Sequence, residues 1–259
     1  MAKVYALVNQ KGGVCKTTTA INLASCLLSR GFKVLLLDLD PSRNMSSTIG
    51  TKEKKPDIYD VCVNGMPIKD AIVKTPFGDC VPGSDRLSTW DVLMPNNAFK
   101  KNFLVQECLA PVLDVYDYIV LDTPPMLGGL SLASMVACDS VIIPSHADTY
   151  SMEGVMDLVK NIQTVKYYCR KDNLGIAGIL ITDDNPQTVM SREFKKNNQE
   201  LVGKINTRLF QTSIRHNVTV SEAQAHGMPL QEYDPNCNGA KDYNDWTDEL
   251  LKIEKNGGA

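Results

Sequence analysis

The sequence predicts an α/β fold, a doubly wound, mostly parallel sheet with helices on both faces. Short apolar runs alternate with longer segments of helical periodicity, which is the pattern of βαβ units. These runs are nearly continuous in apolar residues, as expected for parallel strands covered on both faces. The chain has 259 residues, of which 43% are hydrophobic and 22% charged. That length suits one large domain, and we expect residues 1–259 to form a single one.

The first strand is predicted at "KVYALVN", residues 3–9. A helix follows from about Thr17 to Arg30, because apolar residues recur there at helical spacing and Gly31 stands where a C-terminal cap belongs. The same reasoning predicts further strands at residues 33–40, 116–125, 140–146 and 175–182. It predicts further helices at about residues 97–114, 129–137, 150–169 and 187–203.

Two parts of the chain fall outside this alternation. Residues 51–95 contain several Gly and Pro residues, and we expect them to form an irregular insertion on the same domain. Residues 238–254 are predicted to form a surface helix, followed by a frayed, Gly-rich end.

Charge and cysteine usage limit the class of protein. The net charge of −3 argues against a uniformly basic nucleic-acid binder, although it permits a local basic patch. None of the eight cysteines forms a C-x-x-C pair, and the three histidines are scattered, so we expect core thiols in a reducing compartment. No secretory leader and no apolar run long enough to span a membrane is predicted, which favours a cytoplasmic protein.

The stretch "NQKGGVCKTT" nearly matches the phosphate-binding pattern G-x-x-x-x-G-K-[ST], with Cys15 where a glycine normally precedes the lysine. It lies between the first strand and the first helix. Gly12 and Gly13 allow tight turns, and the helix N-terminus presents N–H groups to an anion. Lys16 would reach phosphate oxygens, and the Thr17 hydroxyl would bind Mg²⁺. The alternative is a Gly-rich turn with a chance lysine.

Aspartates follow two other predicted strands. Asp38 and Asp40 end the strand in "DLDP", and Asp122 ends the strand in "IVLDTPP". Ligands of open α/β sheets bind at this carboxyl edge, and a carboxylate there suits Mg²⁺ or its bound water. Each aspartate alone is equally typical of a strand-end cap. The three features together favour a nucleotide site.

Four segments resemble the deviant Walker A ATPases of the ParA/MinD family, in particular the short ParA/Soj type. They are "QKGGVCKTTTAINLA", "VLLLDLDPSRNMS", "YDYIVLDTPP" and "NVTVSEAQAHGMPLQEYDPNCNGAKDY", and they occur in the family's order over nearly the whole chain. The resemblance implies a P-loop NTPase fold, ATP and Mg²⁺ as cofactors, and slow, partner-stimulated hydrolysis. The sequence predicts no N-terminal helix-turn-helix extension, so the chain resembles the short type and operator-specific repression is not expected.

The resemblance also implies roles for single residues. Lys11 matches the signature lysine, which reaches across an ATP-bound dimer to the partner's phosphates. Lys16 and Thr17 match the phosphate and magnesium contacts within one chain. Asp40 matches the aspartate that orients the attacking water, and Asp122 matches the Walker B carboxylate at the magnesium.

The implied catalytic residues are therefore Lys11, Lys16 and Asp40, and the implied metal-binding residues are Thr17 and Asp122. The implied nucleotide-binding residues are Lys11, Gly12, Gly13, Val14, Cys15, Lys16, Thr17, Thr18 and Asp122. Adenine is expected near Thr182–Asn185 and Ile214–Asn217.

Cys15 is the first departure from the family pattern. A left-handed backbone at this position would cost about 1–2 kcal/mol for a residue other than glycine, which would weaken nucleotide binding. The alternative interpretation is that the small thiol is tolerated at this position with little change. A thiol at a helix N-terminus beside Lys16 is expected to have a lowered pKa, which suggests redox-sensitive ATP binding.

Two further departures lie in "VLLLDLDPSRNMS", which resembles the family's first switch segment and is called the first switch here, and near the C-terminus. "DPSRN" places Ser42 and Arg43 where the family has Gln-Gly, so Arg43 is either a phosphate or dimer contact or a solvated loop residue. "SIRHNVTVSEA" places Arg215 at the family's proline, and His216 and Thr219 at its arginines. The resemblance implies that basic residues of this C-terminal region help to bind DNA without sequence preference. Their partial loss here argues against such DNA binding.

Charge within residues 160–216 supports DNA binding instead. This window holds ten Lys/Arg and five Asp/Glu, a net charge of +5. A phosphate-binding patch of these cations is one reading, and solvated helix faces are the other. The candidates are Lys166, Arg170, Lys171, Arg192, Lys195, Lys196, Lys204, Arg208 and Arg215.

The leading hypothesis is an ATPase switch for plasmid or chromosome partition. ATP would close a homodimer that binds DNA without sequence preference and so associates with the nucleoid, and a ParB-like partner would stimulate hydrolysis. A MinD-like membrane protein is disfavoured, because residues 217–259 hold three Lys/Arg against eight Asp/Glu. A metal-cluster protein would need paired cysteines, for which Cys108 and Cys138 are the candidates. A regulatory or cargo-positioning switch, with hydrolysis impaired by Cys15, is the remaining alternative.

Overall fold

A seven-stranded sheet forms the centre of the protein in a computed structural model, which describes residues 1–92, 99–148, 151–205 and 207–257, except the side chains of residues 197, 198, 200, 201 and 204. The strand order is β3-β4-β2-β5-β1-β6-β7, and all neighbours are parallel except β3 and β4. The strands are β1 (Lys3–Leu7), β2 (Val34–Asp38), β3 (Val73–Thr75), β4 (Gly78–Val81), β5 (Tyr118–Asp122), β6 (Ser140–Ser145) and β7 (Gly175–Ile181).

Helices cover both faces of the sheet. The described α-helices are α1 (Lys16–Ser29), α2 (Asn44–Thr48), α3 (Ile58–Cys62), α4 (Leu104–Leu109), α5 (Gly129–Ala137), α6 (Ser151–Tyr168), α7 (Val189–Lys204), α8 (Val218–Ala225), α9 (Leu230–Tyr233) and α10 (Asn238–Lys255). Residues of α3 to α7 share one hydrophobic cluster, and residues of α1, α2 and α8 to α10 share the other. Two packed layers of helices are what a parallel sheet with buried faces requires.

The predicted fold class is confirmed. Each predicted strand is present and is one to five residues shorter than its apolar run, because the run continues into the loop at the sheet edge. The five strands predicted from the sequence include all of β1, β2, β5, β6 and β7. The helix predicted at 129–137 has the same bounds in the structure.

One predicted helix is wrong, and the predicted insertion contains two short strands that the sequence did not indicate. The segment 97–114 is not one helix, since α4 lies between the 3₁₀ turns Lys100–Phe103 and Ala110–Val112; residues 97 and 98 lie outside the described part. The insertion 51–95 is less irregular than expected, because β3 and β4 extend the sheet beside β2. Its residues 93–95 are not described.

The helix predicted at 238–254 is present as α10, which exposes one face and packs the other against the core. Tyr243, Trp246 and Leu250 lie on one face of α10 and are at most 1% exposed. The Trp246 ring meets Phe210 edge to face at 5.7 Å between centroids. Among the described helices none has the length and apolarity needed to cross a membrane.

Candidate functional site

The loop between β1 and α1 lies at the carboxyl edge of the sheet, beside β5 and β6. Asn9 fixes its start: the side-chain amide donates to the Pro144 carbonyl at 2.7 Å, and its Oδ1 accepts from Lys11 N at 2.9 Å. Gly13 has a φ of 77°, which glycine adopts without strain. The loop then enters α1, whose first N–H groups lack partners within the helix and form an anion-binding end.

Cys15 occupies the last loop position with a φ of 62° and a ψ of 30°. This is the left-handed conformation, so the glycine expected there is replaced by a residue that bears the strain. The predicted lowering of its pKa is wrong. Burial and the nearby Asp183 carboxylate raise the pKa of the Cys15 thiol, against an opposing contact with Thr182. The thiol is therefore not activated by its place at the helix N-terminus.

Thr17 and Asp122 meet across the edge of the sheet. The Thr17 hydroxyl donates to Asp122 Oδ2 at 2.7 Å. The other carboxylate oxygen, Oδ1, is buried without a hydrogen-bond partner among the described residues. A buried orphan oxygen beside a threonine hydroxyl fits a hard divalent cation, which takes oxygen ligands.

Asp38 lies next to Asp122, because the two residues are paired in the register of β2 and β5. Both are fully buried. Burial raises the pKa of Asp38 to about 6, although Ser46 donates both its N–H and its hydroxyl to Asp38 Oδ2. Burial and the Asp38 charge raise the pKa of Asp122 well above its usual range. Concentrated negative charge of this kind is what a magnesium ion would neutralise.

Lys16 and Asp40 line one cavity of about 500 Å³. The Lys16 ammonium donates to the Lys11 carbonyl at 3.4 Å, and burial lowers its pKa while Asp122 and Asp40 oppose that shift. Asp40 Oδ1 accepts from Ser42 N at 2.8 Å, which holds the carboxylate at the start of the switch. A cation and a carboxylate thus line the same polar space.

Lys11 points away from its own loop. Its ammonium lies 2.6 Å from Asp148 Oδ2, and both side chains are partly exposed. Asp148 also accepts from Ser151 N at the start of α6 through both the backbone and Oδ1. Lys11 therefore belongs to the same loop as the residues of the cavity, but its ammonium forms an ion pair outside that cavity.

Several residues in or next to the cavity carried no recognisable signal in the sequence. Gln224 of α8 donates to Thr18 Oγ1 at 3.0 Å, although more than two hundred residues separate them. Ser46 of α2 holds Asp38 and also accepts from Gly83 N. The full lining is Gly12, Gly13, Cys15, Lys16, Thr17, Thr18, Asp40, Ser42, Asn44, Ser47, Thr48, Pro125 and Gln224. Val14 is buried behind the loop, and its carbonyl accepts from Thr182.

The two segments expected near adenine lie side by side. Asp184 N donates to the Ile214 carbonyl and His216 N donates to the Asp184 carbonyl, both at 2.9 Å. Neither segment lines the cavity at the loop. The placement of adenine stays a prediction.

Arg43 is not the solvated loop residue of one sequence interpretation, and its contact with phosphate or a dimer partner stays a prediction. Its φ is 57°, so it keeps the conformation of the glycine that the family has there. The guanidinium lies 3.6 Å from Asp85 and donates to the Lys52 carbonyl at 3.4 Å, and the side chain is only 20% exposed. Arg43 thus joins the first switch to the insertion.

The predicted basic patch loses two of its cations to ion pairs. Arg215 contacts both carboxylate oxygens of Asp242, with a shortest distance of 2.7 Å. Lys195 lies 2.6 Å from Asp184 Oδ2 and donates to Ser213. Burial would raise the pKa of Asp184, but Lys195, Ser191 and Ser213 hold it below its usual range. Lys195 and Arg215 are therefore structural cations, which corrects their place in the patch.

The remaining cations of the patch lie on the surface to different degrees. Arg170, Arg192 and Lys196 are exposed, whereas Lys166, Lys171 and Arg208 are half-buried. The side chain of Lys204 lies outside the described part. The two proposed metal-cluster cysteines differ in setting: Cys108 contacts Cys62, and Cys138 is fully buried and donates to the Met135 carbonyl.

Comparisons with known proteins show which family the chain resembles. An AAA domain family model matches residues 2–176. The sporulation initiation inhibitor protein Soj of Bacillus subtilis is 34% identical, covering 96% of this chain and 98% of its own length. The chromosome-partitioning ATPase Soj of Treponema pallidum is 35% identical, covering 97% of this chain and 98% of its own length.

A solved structure shows the same architecture. Cobyrinic acid a,c-diamide synthase from Mycobacterium smegmatis, with bound ADP and magnesium, superimposes with a TM-score of 0.85 at 25% identity, covering 99% of this chain and 97% of the synthase. ADP and magnesium there match the type of cofactors that the sequence predicts here. Full-length similarity to the two Soj proteins, together with the loop and strand-end carboxylates, identifies the chain as a member of the ParA/Soj-type ATPases of the ParA/MinD family.

Proposed function

We propose that this protein is an ATP-dependent, dimerising switch for DNA partition. The observation that carries the proposal is the convergence of Lys16, Thr17, Asp40 and Asp122 on one edge of the sheet, with Thr17 and Asp122 joined at 2.7 Å. The relatives that match over the full length support a partition role, since two of them are a Soj protein and a chromosome-partitioning ATPase.

Each residue has a distinct task in this proposal. Lys16 and the loop N–H groups would bind the phosphates of ATP, while the Thr17 hydroxyl and Asp122 would hold Mg²⁺ or its water. The metal would neutralise charge on the phosphates. Asp40 would accept a hydrogen bond from the attacking water and orient it, and Lys11 of the partner subunit would stabilise the charge that develops on the γ-phosphate.

Lys11 must change partners before it can act between subunits. In the single chain it pairs with Asp148 at 2.6 Å. Because this pair is partly exposed, it is worth only about 0.2–1 kcal/mol, which ATP-driven dimerisation can easily exceed. Lys11 is then available to a second subunit only when the dimer forms, and hydrolysis by the isolated chain is expected to be slow.

In this proposal the ATP-bound dimer is the form that binds DNA. Arg192 and Lys196 are exposed on α7, so two copies present these cations twice and bind the phosphate backbone without reading sequence. A ParB-like partner would then stimulate hydrolysis and release the DNA. We propose the same homodimer for plasmid or chromosome cargo.

The experiment measures dimer formation by light scattering and ATP turnover in the same samples. The unaltered chain should dimerise with ATP and Mg²⁺ and hydrolyse ATP slowly. K16A should do neither, whereas D40A should dimerise and lose turnover, since its phosphate contacts are intact. A D40A protein with unchanged turnover would refute the role of Asp40, and a K16A protein with unchanged ATP affinity would refute the site.

A second candidate is an ATP-binding switch whose hydrolysis is impaired, and the φ of 62° at Cys15 favours it. Turnover of C15G separates the two candidates. Equal turnover in C15G and the unaltered chain supports the partition ATPase as proposed. A rise of tenfold or more in C15G supports the impaired switch, because it would show that the native loop is held away from its productive shape.

A further inference from the structure

Cys62 and Cys108 are in direct contact, although 46 positions separate them in the chain. Their sulfur atoms are 3.2 Å apart, which is closer than the roughly 3.5–4.0 Å of two carbon atoms in optimal contact. They are the one cysteine pair for which a contact is present among the described residues. The remaining six cysteines are free thiols without a cysteine neighbour of this kind.

The pair lies where two short helices pack against each other. Cys62 ends α3 in the insertion, and Cys108 lies in α4, which packs on α5. Formation of a disulfide needs the two sulfur atoms to approach to about 2.05 Å, a movement of about 1.2 Å from their present distance. Short helices at the surface of the core can accommodate a shift of this size more readily than strands of the sheet.

Small molecules can reach the pair. Both sulfur-bearing residues line a cavity of about 420 Å³ at the surface. Its rim includes the exposed residues Gly65, Met66 and Glu107. Cys108 is half-buried, whereas the side chains of Cys26, Cys80 and Cys138 are completely buried. Cys62 is only 5% exposed, so Cys108 is the member of the pair that an oxidant reaches first, and proximity is what distinguishes this pair from the other cysteines.

We propose that Cys62 and Cys108 form a redox-modification site, a dithiol that a hydroperoxide oxidises to a reversible disulfide linking α3 to α4. The Cys108 sulfur attacks one peroxide oxygen, the O–O bond breaks, and one water leaves as a sulfenic acid forms. The Cys62 sulfur then attacks the Cys108 sulfur, the S–O bond breaks, and a second water leaves with the Cys62 proton. Two thiols lose two electrons in total, and hydrogen peroxide is reduced to two waters.

The disulfide would constrain the insertion without requiring any nucleotide. It would close a loop between positions 46 apart in the unfolded chain, which reduces the entropy of that state. Oxidation should therefore raise Tm by roughly 5–10 °C. The inference is independent of the proposed partition function, because it rests on two residues outside the nucleotide cavity.

The test treats the full-length protein with hydrogen peroxide, blocks remaining thiols with N-ethylmaleimide and maps cross-linked peptides by mass spectrometry. We expect a Cys62–Cys108 peptide that dithiothreitol abolishes, together with the rise in Tm. C108S should lose both, and C169S, which alters another half-buried cysteine, should keep both. Recovery of Cys62 and Cys108 as separately alkylated peptides, under conditions that oxidise other thiols of the same protein, would overturn the proposal. The peptide map of the unaltered chain decides this even if C108S fails to fold.

Discussion

Cys15 has a side chain at a backbone conformation that favours glycine, with a φ of 62° at the entrance of α1. Replacement by glycine relieves about 1–2 kcal/mol of strain but also gives the unfolded chain more freedom, at a cost of about 0.5–1 kcal/mol. We therefore expect C15G to raise the free energy of unfolding by about 0.5–1 kcal/mol in urea titrations. C15A, which keeps the strain and removes only the thiol, should show no gain. Equal stability of C15G and C15A would contradict a strained loop.

Asp184 tests whether Lys195 is a structural cation. The pKa of Asp184 is held below its usual range, so the ion pair with Lys195 stabilises the fold at pH values above the pKa of Asp184 in the unfolded chain. This stabilisation is lost as the pH falls through the pKa of Asp184 in the folded protein. D184N should therefore lower the free energy of unfolding by about 1–3 kcal/mol at pH 7. The difference from the unaltered chain should shrink as the pH falls below about 4.

Urea titrations across this pH range measure the effect. K195M serves as the matched variant, because it removes the cation and leaves the carboxylate. If D184N and the unaltered chain differ by the same amount at every pH, the ion pair does not stabilise the fold as described.

At the scale of elements, the contact between the insertion and the start of α5 can be tested. Asp91 accepts from Gly129 N at 3.0 Å, and a Cβ on Gly129 would lie 2.4 Å from the Asp91 carboxylate and 2.9 Å from Trp90. We expect G129A to lower the free energy of unfolding by about 1–3 kcal/mol through this overlap. G203A, in α7 with no atom within 4 Å of the added carbon, should instead be neutral or slightly stabilising. Similar effects of the two substitutions would argue against the contact.

The elements differ in how far the sequence predicts them, for physical reasons. Long apolar runs such as β5 and β6 are recognisable because parallel strands are buried on both faces. β3 has three residues and β4 has four, beginning with Gly78, so neither carries enough pattern. The helix expected at 97–114 misses the change to 3₁₀ geometry around Pro111.

The residues of the candidate site also differ in how far the sequence predicts them. Lys16, Thr17 and Asp122 were predictable because a phosphate loop and a strand-end carboxylate have local signatures. Gln224 and Ser46 were not, since only the packing of α8 and α2 brings them to Thr18 and Asp38. Lys11 was recognised from the family motif, but its ion pair with Asp148 follows only from the fold.

At the scale of the whole molecule, the proposed DNA binding can be tested through the exposed cations of α7. R192E/K196E should weaken binding of duplex DNA in the ATP-bound state, because both residues are exposed on α7. The slope of log K against log salt should decrease by about 2 if each cation contacts one phosphate. K69E/K74E makes the same change in charge at exposed positions of the insertion and should bind normally. Fluorescence anisotropy at several salt concentrations measures both, and equal losses would show a general effect of net charge.

The central claim is that Lys11 of one subunit acts at the nucleotide site of the other. Mixing two inactive variants tests this claim most directly. K11A keeps Asp40, and D40A keeps Lys11, so a mixed dimer contains one complete site if Lys11 acts on the partner. With random pairing, half of the dimers are mixed, and ATP turnover of an equal mixture should recover to about a quarter of the unaltered rate. Each variant alone should remain inactive. No recovery in a mixture that light scattering shows to be dimeric would contradict the claim, because Lys11 would then act within its own chain.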